Sequence, residues 1–247
     1  MTAIRLGMIL PSSNTVVEPV ASAMVSALPD VGVHFSRFAL TAVQVENPAA
    51  AYYDSGALLA AAKLLADARC HVITWNGSAG GLVGFDRDRQ LCREIEDATG
   101  VPATTASLSL LEQFRLARVR RFAMVTLNPP EMNQTIANNF SREGFDCVAS
   151  THRTDITDNF AMAQVPPEEI AAWALACAGE SHNADALIIY GTNTRGAPVA
   201  RTLERKLGIP VYDSVAWGVF GALLRAGADI LPLTKWAPHV MAAGMTA

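Results

Sequence analysis

A regular alternation of short apolar runs with longer amphipathic segments constrains the fold more than any other feature. The runs RLGMIL, HVITW, RRFAMVTL and ALIIY are each followed by a segment with helical periodicity. Strands that alternate with helices in this way are typical of βαβ units, which form a parallel sheet with helices on both faces. The alternation therefore predicts the α/β class.

An internal repeat divides the chain into two. The segment LGMILPSSNTVVEPVASAM at 6–24 is matched in outline by FAMVTLNPPEMNQTIANNF at 122–140, an offset of roughly 115 residues that is too long for a solenoid unit. We expect two pseudo-symmetric flavodoxin-like halves, each with a mostly parallel four-stranded sheet flanked by helices. The halves are predicted at 1–115 and 116–226, followed by a C-terminal tail at 227–247 that packs back on the first half.

Composition excludes several classes of partner. The formal net charge of −4 includes no basic run, so we expect no nucleic acid and no membrane partner. The apolar stretches are too short to span a bilayer and the start lacks a signal peptide, which predicts a cytoplasmic protein. The four cysteines show no metal-ligand spacing with one another or with histidine. A small-molecule partner is favoured, and we also expect a homo-oligomer.

Four polar turns follow the apolar strands of the two halves. They are PSSNT (11–15), NGSAGG (76–81), NPPEMN (128–133) and GTNTRG (191–196). Open α/β sheets bind ligands outside the carboxyl ends of their strands. We therefore expect these turns to converge on a site in the cleft between the halves.

The turn NGSAGG favours anion binding. Gly77, Gly80 and Gly81 would let main-chain N–H groups approach a carboxylate or oxyanion, and Ser78 would add a hydroxyl. The plain alternative is that Asn-Gly and Gly-Gly are ordinary turn formers. A dinucleotide site is excluded because its glycine motif should follow the first strand, where this chain has PSSNT.

The segment RTDITDNFAMAQVPPEEI at 153–170 has no clear period before PPEEI. It is predicted as a long loop, and loops of this length are often lids or binding loops. Asp158 and Asn159 are candidates to face a ligand, and the part from Thr154 to Val165 is expected to close over it. A plain connecting role is equally open.

Three motifs carry a resemblance to a known superfamily: LGMILPSSNTVVEP, ITDNFAMAQVPPEEI and IIYGTNTRGAPVARTLERKLGIPVYDS. The chain resembles the aspartate/glutamate racemase superfamily, and within it the maleate cis-trans isomerases and arylmalonate decarboxylases. The resemblance implies a pseudo-symmetric α/β enzyme with no metal or organic cofactor. It also implies one or two cysteines at strand ends as acid/base groups or nucleophile.

Neither expected cysteine is present. The first position falls at Asn76, or at Gly77 if the register slips by one, and the second falls at Gly191. The resemblance assigns carboxylate binding to Asn14, a dioxyanion-hole hydroxyl to Ser78 and a second carboxylate to Asn159. The full set of predicted substrate-binding residues is Pro11, Ser12, Asn14, Gly77, Ser78, Asn128, Asn159, Gly191 and Asn193.

The function expected from these residues is an isomerase or lyase that binds a small carboxylate or related carbonyl compound. It would stabilise an enolate-like anion without a cysteine pair. The candidate catalytic residues are Asn76, whose amide would hold a water, Tyr190 and Thr192. The alternatives are a non-catalytic small-carboxylate binding protein and a water-assisted hydrolase on the same scaffold.

Overall fold

The computed structural model describes residues 3–40, 47–156, 158–181, 183–233 and 236. The strands are β1 (Ile4–Pro11), β2 (Val31–Phe38), β3 (Val72–Trp75), β4 (Ala103–Thr105), β5 (Arg121–Thr126), β6 (Asp146–Ser150), β7 (Ala186–Tyr190) and β8 (Val211–Asp213). The helices are α1 (Val17–Val25), α2 (Pro48–Tyr52), α3 (Ser55–Asp67), α4 (Ala79–Val83), α5 (Phe85–Thr99), α6 (Ala106–Leu116), α7 (Pro130–Arg142), α8 (Asn159–Met162), α9 (Pro167–Glu180), α10 (Ala197–Leu207) and α11 (Ser214–Arg225). A short 3-10 helix follows at Leu231–Leu233.

The strands form two four-stranded sheets with equivalent orders, β2-β1-β3-β4 and β6-β5-β7-β8. All pairings are parallel. Helices connect the strands, as parallel pairing requires. The predicted α/β class with two four-stranded parallel sheets is confirmed.

The two sheets share one inner core. Along β1, Leu6, Met8 and Leu10 belong to this core, whereas Ile9 belongs to a separate cluster on the outer face. This alternation is the period of two that a strand imposes on its side chains. Helix α11 lies in the inner core and contacts strands of both sheets. The carboxyl ends of both sheets can therefore contribute to one site.

The domain boundaries at 115 and 226 stay predictions. Most of the predicted tail, namely residues 234, 235 and 237–247, lies outside the described residues. Within the described part, Leu233 is fully buried in the inner core. Trp236 lines a small pocket beside Tyr212 and Trp217, which belong to the second half.

Two short helices occur where the sequence predicted turn or loop. Helix α4 includes Gly80 and Gly81, although glycine is a poor helix former; buried side chains packed against its backbone hold it in place, as described below. Helix α8 interrupts the predicted loop at 153–170, and the Asp158 carboxylate caps it by accepting hydrogen bonds from the N–H groups of Phe160 and Ala161. Asp158 thus serves the helix N-terminus. No helix among the described residues has the length and apolar character to cross a bilayer.

Candidate functional site

One cavity lies at the carboxyl ends of strands from both sheets. Its empty volume is about 610 Å³, which includes space open to solvent. The lining residues are Pro11, Leu40, Tyr52, Trp75, Gly77, Ser78, Ala79, Leu82, Asn128, Met132, Ile136, Asn159, Met162, Tyr190, Gly191, Thr192 and Asn193. Nine of the twelve residues predicted for the site are in this set; the other three are Ser12, Asn14 and Asn76.

Three glycines follow β3 because buried side chains lie against the backbone there and leave no room for a Cβ. A Cβ on Gly77 would lie 2.3 Å from the Trp75 ring. The corresponding distances are 1.6 Å from Gly80 to Asp88 Oδ2 and 2.2 Å from Gly81 to the Tyr190 hydroxyl. Of these three glycines, only Gly77 lines the cavity. The expectation that Gly80 and Gly81 bring N–H groups to an anion is therefore corrected: these two positions accommodate Asp88 and Tyr190.

Hydrogen bonds orient the peptide groups of this turn. The buried Ser107 hydroxyl donates to the Gly77 carbonyl at 3.4 Å, and the Tyr190 hydroxyl donates to the Ser78 carbonyl. Since the C=O and the next N–H of a trans peptide point in opposite directions, the Ser78 N–H points away from Ser107. The N–H groups of Gly77, Ser78 and Ala79 donate no hydrogen bond to any described residue. This part of the cavity wall therefore has unused donors.

The turn after β7 has a different basis. Gly191 has a φ of +124°, a conformation that favours glycine. Its N–H donates to the Ser214 hydroxyl at 2.8 Å, which in turn donates to the Ile189 carbonyl at 3.0 Å. The N–H groups of Thr192 and Asn193 have no acceptor within the described part of the chain. A second set of donors therefore lies on the other side of the cavity.

Asn14 joins the two halves behind the cavity. Its Nδ2 donates to the Thr192 carbonyl at 3.1 Å, while its Oδ1 accepts from the N–H groups of Val16 and Val17 at 3.0 Å each. The residue has no exposed surface and does not line the cavity. In this structure the Asn14 amide is committed to the protein, and its role in carboxylate binding stays a prediction.

Asn159 and Asn193 form a polar edge to the cavity. The Asn193 side chain accepts from the Thr15 N–H at 3.0 Å and donates to the Asn159 carbonyl at 2.5 Å. The Asn159 Nδ2 donates to the Ser13 hydroxyl at 2.8 Å. The Ser12 hydroxyl bonds to the main chain of Leu40, and Ser12 is not among the residues that line the cavity. The hydrogen bonds of Asn159 and Asn193 therefore connect helix α8 to the turn after β1.

Asn76 faces the inner core. Its Nδ2 lies 3.6 Å from the Met8 sulfur, and its Oδ1 has no hydrogen-bond partner in the described residues. A Cβ on Gly218 of α11 would lie 2.6 Å from that oxygen. The Asn76 amide therefore points towards α11 and not into the cavity, and its role in holding a catalytic water stays a prediction without support from this geometry.

Among the described residues that line the cavity, none has a charged side chain and none is a cysteine. Burial raises the pKa of Cys92 and Cys147 to about 12 and that of Cys177 to about 11, and it also raises the pKa of Cys70. Such thiols are poor nucleophiles at neutral pH. Among the described residues, no group of three or more His, Cys, Asp or Glu is arranged to hold a metal ion.

Tyr190 holds its proton tightly. Burial, together with the nearby Asp88, raises its pKa above the ordinary value for a phenol. Its hydroxyl is also engaged with the Ser78 carbonyl. Tyr190 is thus a hydrogen-bond donor in this structure and a weak acid.

Sequence reasoning missed Asp88, which lies fully buried on α5 beneath α4. Burial raises the pKa of its carboxyl, and the hydrogen bond from the Tyr53 hydroxyl offsets part of this rise, so that the pKa is about 7. The segment FDRDRQL reads as a charged helix start, and nothing in it distinguishes the buried Asp88 from the exposed Asp86. Only the fold reveals that α4 covers one of the two carboxylates.

Comparison with known proteins identifies the family. A family model described as arylmalonate decarboxylase matches residues 6–235. The chain belongs to the arylmalonate decarboxylase family. Maleate isomerase of Pseudomonas putida is 24% identical over 245 residues, covering 94% of this chain and 95% of the relative. Arylmalonate decarboxylase of Bordetella bronchiseptica is 26% identical over 133 residues, covering 54% of this chain and 55% of that protein.

The fold is shared with solved structures of this group. A cysteine-to-serine mutant of Nocardia farcinica maleate cis-trans isomerase, with a covalently bound succinylcysteine intermediate, superposes with a TM-score of 0.85. It is 22% identical, and the match covers 96% of this chain and 98% of that one. The predicted resemblance and the predicted isomerase or lyase class are confirmed at the level of the family. The relative's covalent cysteine contrasts with a cavity here that has no thiol in its wall.

Proposed function

We propose that this chain is an enzyme that binds a small carboxylate or related carbonyl compound and stabilises an enolate-like anion without a cysteine pair. The observation that carries the proposal is the pair of strand-end turns, at Gly77–Ala79 and Thr192–Asn193, whose residues line one cavity and whose N–H groups have no acceptor among the described residues. Fixed neutral donors of this kind stabilise charge that develops on an oxygen. Ser78 adds a hydroxyl that no described residue uses.

The rest of the wall favours a substrate with an apolar part. Leu82, Met132, Ile136 and Met162 line the same cavity as the donors. A carboxylate or carbonyl at the turns would place its substituent against these side chains, as in most small-molecule sites. The proposed substrate class is a small acid with an apolar substituent.

The proton must come from a group other than a thiol. Ser78, Thr192 and Tyr190 supply hydroxyls to the cavity, and a bound water is a further source. Because the Tyr190 hydroxyl is engaged with the Ser78 carbonyl and aliphatic hydroxyls are weaker acids than a phenol, we favour a water that is held at the turns and exchanges its protons with solvent. Among the described residues of the wall, Tyr52 and Tyr190 are the titratable side chains, and this scarcity favours a non-catalytic carboxylate-binding protein as the second candidate.

A ligand and substrate screen tests the proposal. Phenylmalonate, phenylacetate and maleate would be tested for a rise in melting temperature, since a ligand at 100 times its Kd should add about 2.7 kcal/mol. Release of carbon dioxide from phenylmalonate and conversion of maleate to fumarate would then be measured. Ser78→Ala should weaken binding, whereas Ser22→Ala, on the exposed face of α1, should not. Binding without turnover would favour the binding protein, and no binding of any of these acids would contradict the proposal.

A further inference from the structure

Asp88 is a buried carboxyl group directly beneath the backbone of α4. Its Oδ1 accepts a hydrogen bond from the Tyr53 hydroxyl at 2.9 Å. Its Oδ2 has no well-formed hydrogen bond to a described residue and lies against Gly80, where a Cβ would be 1.6 Å away. Asp88 does not line the cavity, and the proposed chemistry makes no use of it. A buried carboxylate oxygen without a partner is costly, so its presence needs an explanation.

The surroundings of Asp88 do not supply a full countercharge. Its titratable and charged neighbours are Tyr53 before α3, Arg87 and Cys92 on α5, and Tyr190 at the end of β7. Arg87 lowers the pKa of Asp88, but its guanidinium is also paired with Glu94 at 3.3 Å. Burial outweighs Arg87 and the nearby hydroxyls of Tyr53, Thr105 and Ser107, so the pKa rises to about 7. The buried carboxyl therefore takes up a proton far more readily than an exposed aspartate does.

The charge of Asp88 acts on a residue of the cavity wall. The negative charge of Asp88 contributes to the raised pKa of Tyr190, and Tyr190 lines the cavity. Gly80 lies against Asp88 and directly follows the turn at Gly77–Ala79 in the chain. An anion on one side of this turn and an ionised Asp88 on the other would repel each other in a medium that screens weakly.

Resting on the proposed function, we propose that Asp88 is a proton-linked positioning residue: the turn at Gly77–Ala79 holds an anion tightly only while the Asp88 carboxyl is protonated. Each anion bound from a solution above neutral pH then brings one proton to Asp88. The neutral carboxyl supports the backbone of α4 at Gly80 without opposing the ligand charge. The ionised carboxylate of Asp88 repels the bound anion and weakens its binding.

The test is the pH dependence of affinity for phenylacetate, measured from pH 6 to 9 by the fluorescence of Trp75 in the cavity wall or by calorimetry. Phenylacetate stays ionised over this range because ordinary carboxyl groups titrate near pH 4. For the wild type we expect a constant Kd below about pH 7 and a rise of about tenfold per pH unit above it, as one linked proton requires. Asp88→Asn should bind phenylacetate with a Kd that is flat across the range.

Two further variants separate proton linkage from a merely structural role. Tyr53→Phe removes a hydroxyl that lowers the pKa of Asp88, so the onset of weakening should move to higher pH. Asp213→Asn removes the other buried carboxyl whose pKa is raised to about 7 and should leave the onset unchanged. Infrared difference spectra at pH 8 should show a protonated carboxyl on addition of phenylacetate to the wild type and none in Asp88→Asn.

The outcomes are distinguishable. A wild-type Kd that is independent of pH, or a wild-type slope that persists in Asp88→Asn, would overturn the linkage while leaving the proposed function intact. If Asp88→Asn does not fold, the direction of the shift in Tyr53→Phe decides, and no shift contradicts the proposal. Failure of the wild type to bind phenylacetate, maleate or inorganic sulfate at any pH would overturn both the proposed function and the linkage.

Discussion

The two strand-end turns occupy equivalent places in equivalent sheets, yet they are built differently. After β3, side chains of Trp75, Asp88 and Tyr190 pack against three glycines. After β7, the backbone itself adopts a glycine conformation at Gly191 and is held by the Ser214 hydroxyl. The first turn depends on space for buried side chains, and the second depends on a positive φ.

Each turn is also held by a residue of the other half. Tyr190 of the second half donates to Ser78 of the first, and Asn14 of the first half donates to Thr192 of the second. The donors that border the cavity are therefore oriented only when the halves are docked. We conclude that neither half would be expected to form the site alone.

The largest effect is expected at the first turn. Gly80→Ala would place a methyl group 1.6 Å from Asp88 Oδ2 and 2.9 Å from the Ser107 Cβ, which should cost about 3 kcal/mol or more of unfolding free energy. Gly179→Ala on α9 is the matched control, since nothing lies within 4 Å of its Cβ position, and it should gain up to about 1 kcal/mol. Denaturant unfolding of both variants checks this, and equal stabilities would contradict the packing described here.

A smaller effect is expected at the second turn. Gly191→Ala should cost about 1 to 3 kcal/mol because of its φ and because its Cβ would lie 2.8 Å from the Thr194 hydroxyl. Gly208→Ala, with a φ of +69° and open space around it, is the control for backbone strain alone. Thermal unfolding should give a lower melting temperature for Gly191→Ala than for Gly208→Ala. The reverse order would mean that the second turn tolerates a side chain, including the cysteine that the resemblance expects there.

The contact between halves gives the next effect. Asn14→Ala should lower the unfolding free energy by about 1 to 3 kcal/mol, because it leaves buried main-chain groups without partners. Asn14→Asp keeps the acceptor for Val16 and Val17, but it replaces the donor to Thr192 with a buried carboxylate oxygen that faces the Thr192 carbonyl. Ser78→Ala should instead weaken phenylacetate binding with little loss of stability, since no described residue bonds to its hydroxyl. A stable Asn14→Ala that binds phenylacetate poorly would restore the direct role predicted from sequence.

Sequence periodicity predicted the two sheets and the convergence of their turns, because alternating strands and helices leave a strong local pattern. The polar turns and the resemblance, not the periodicity, pointed to Ser78, Asn159 and Asn193, which line the cavity. The sequence did not reveal that Asn14, Asn76 and Gly80 are absent from the cavity wall, because their decisive neighbours are distant in the chain. Whether an amide faces a ligand or the core depends on what packs behind it, such as Gly218 behind Asn76. Local sequence does not contain that information.

The most direct test of a thiol-independent site is a variant that lacks all thiols. The cysteines to be replaced by alanine or serine are Cys70, Cys92, Cys147 and Cys177. Since none lines the cavity and all have raised pKa values, the folded variant should keep its phenylacetate affinity, and its turnover of phenylmalonate or maleate, within a few-fold of the wild type. Loss of binding or turnover in a variant that remains folded would contradict the account, because it would show that a thiol takes part in the chemistry.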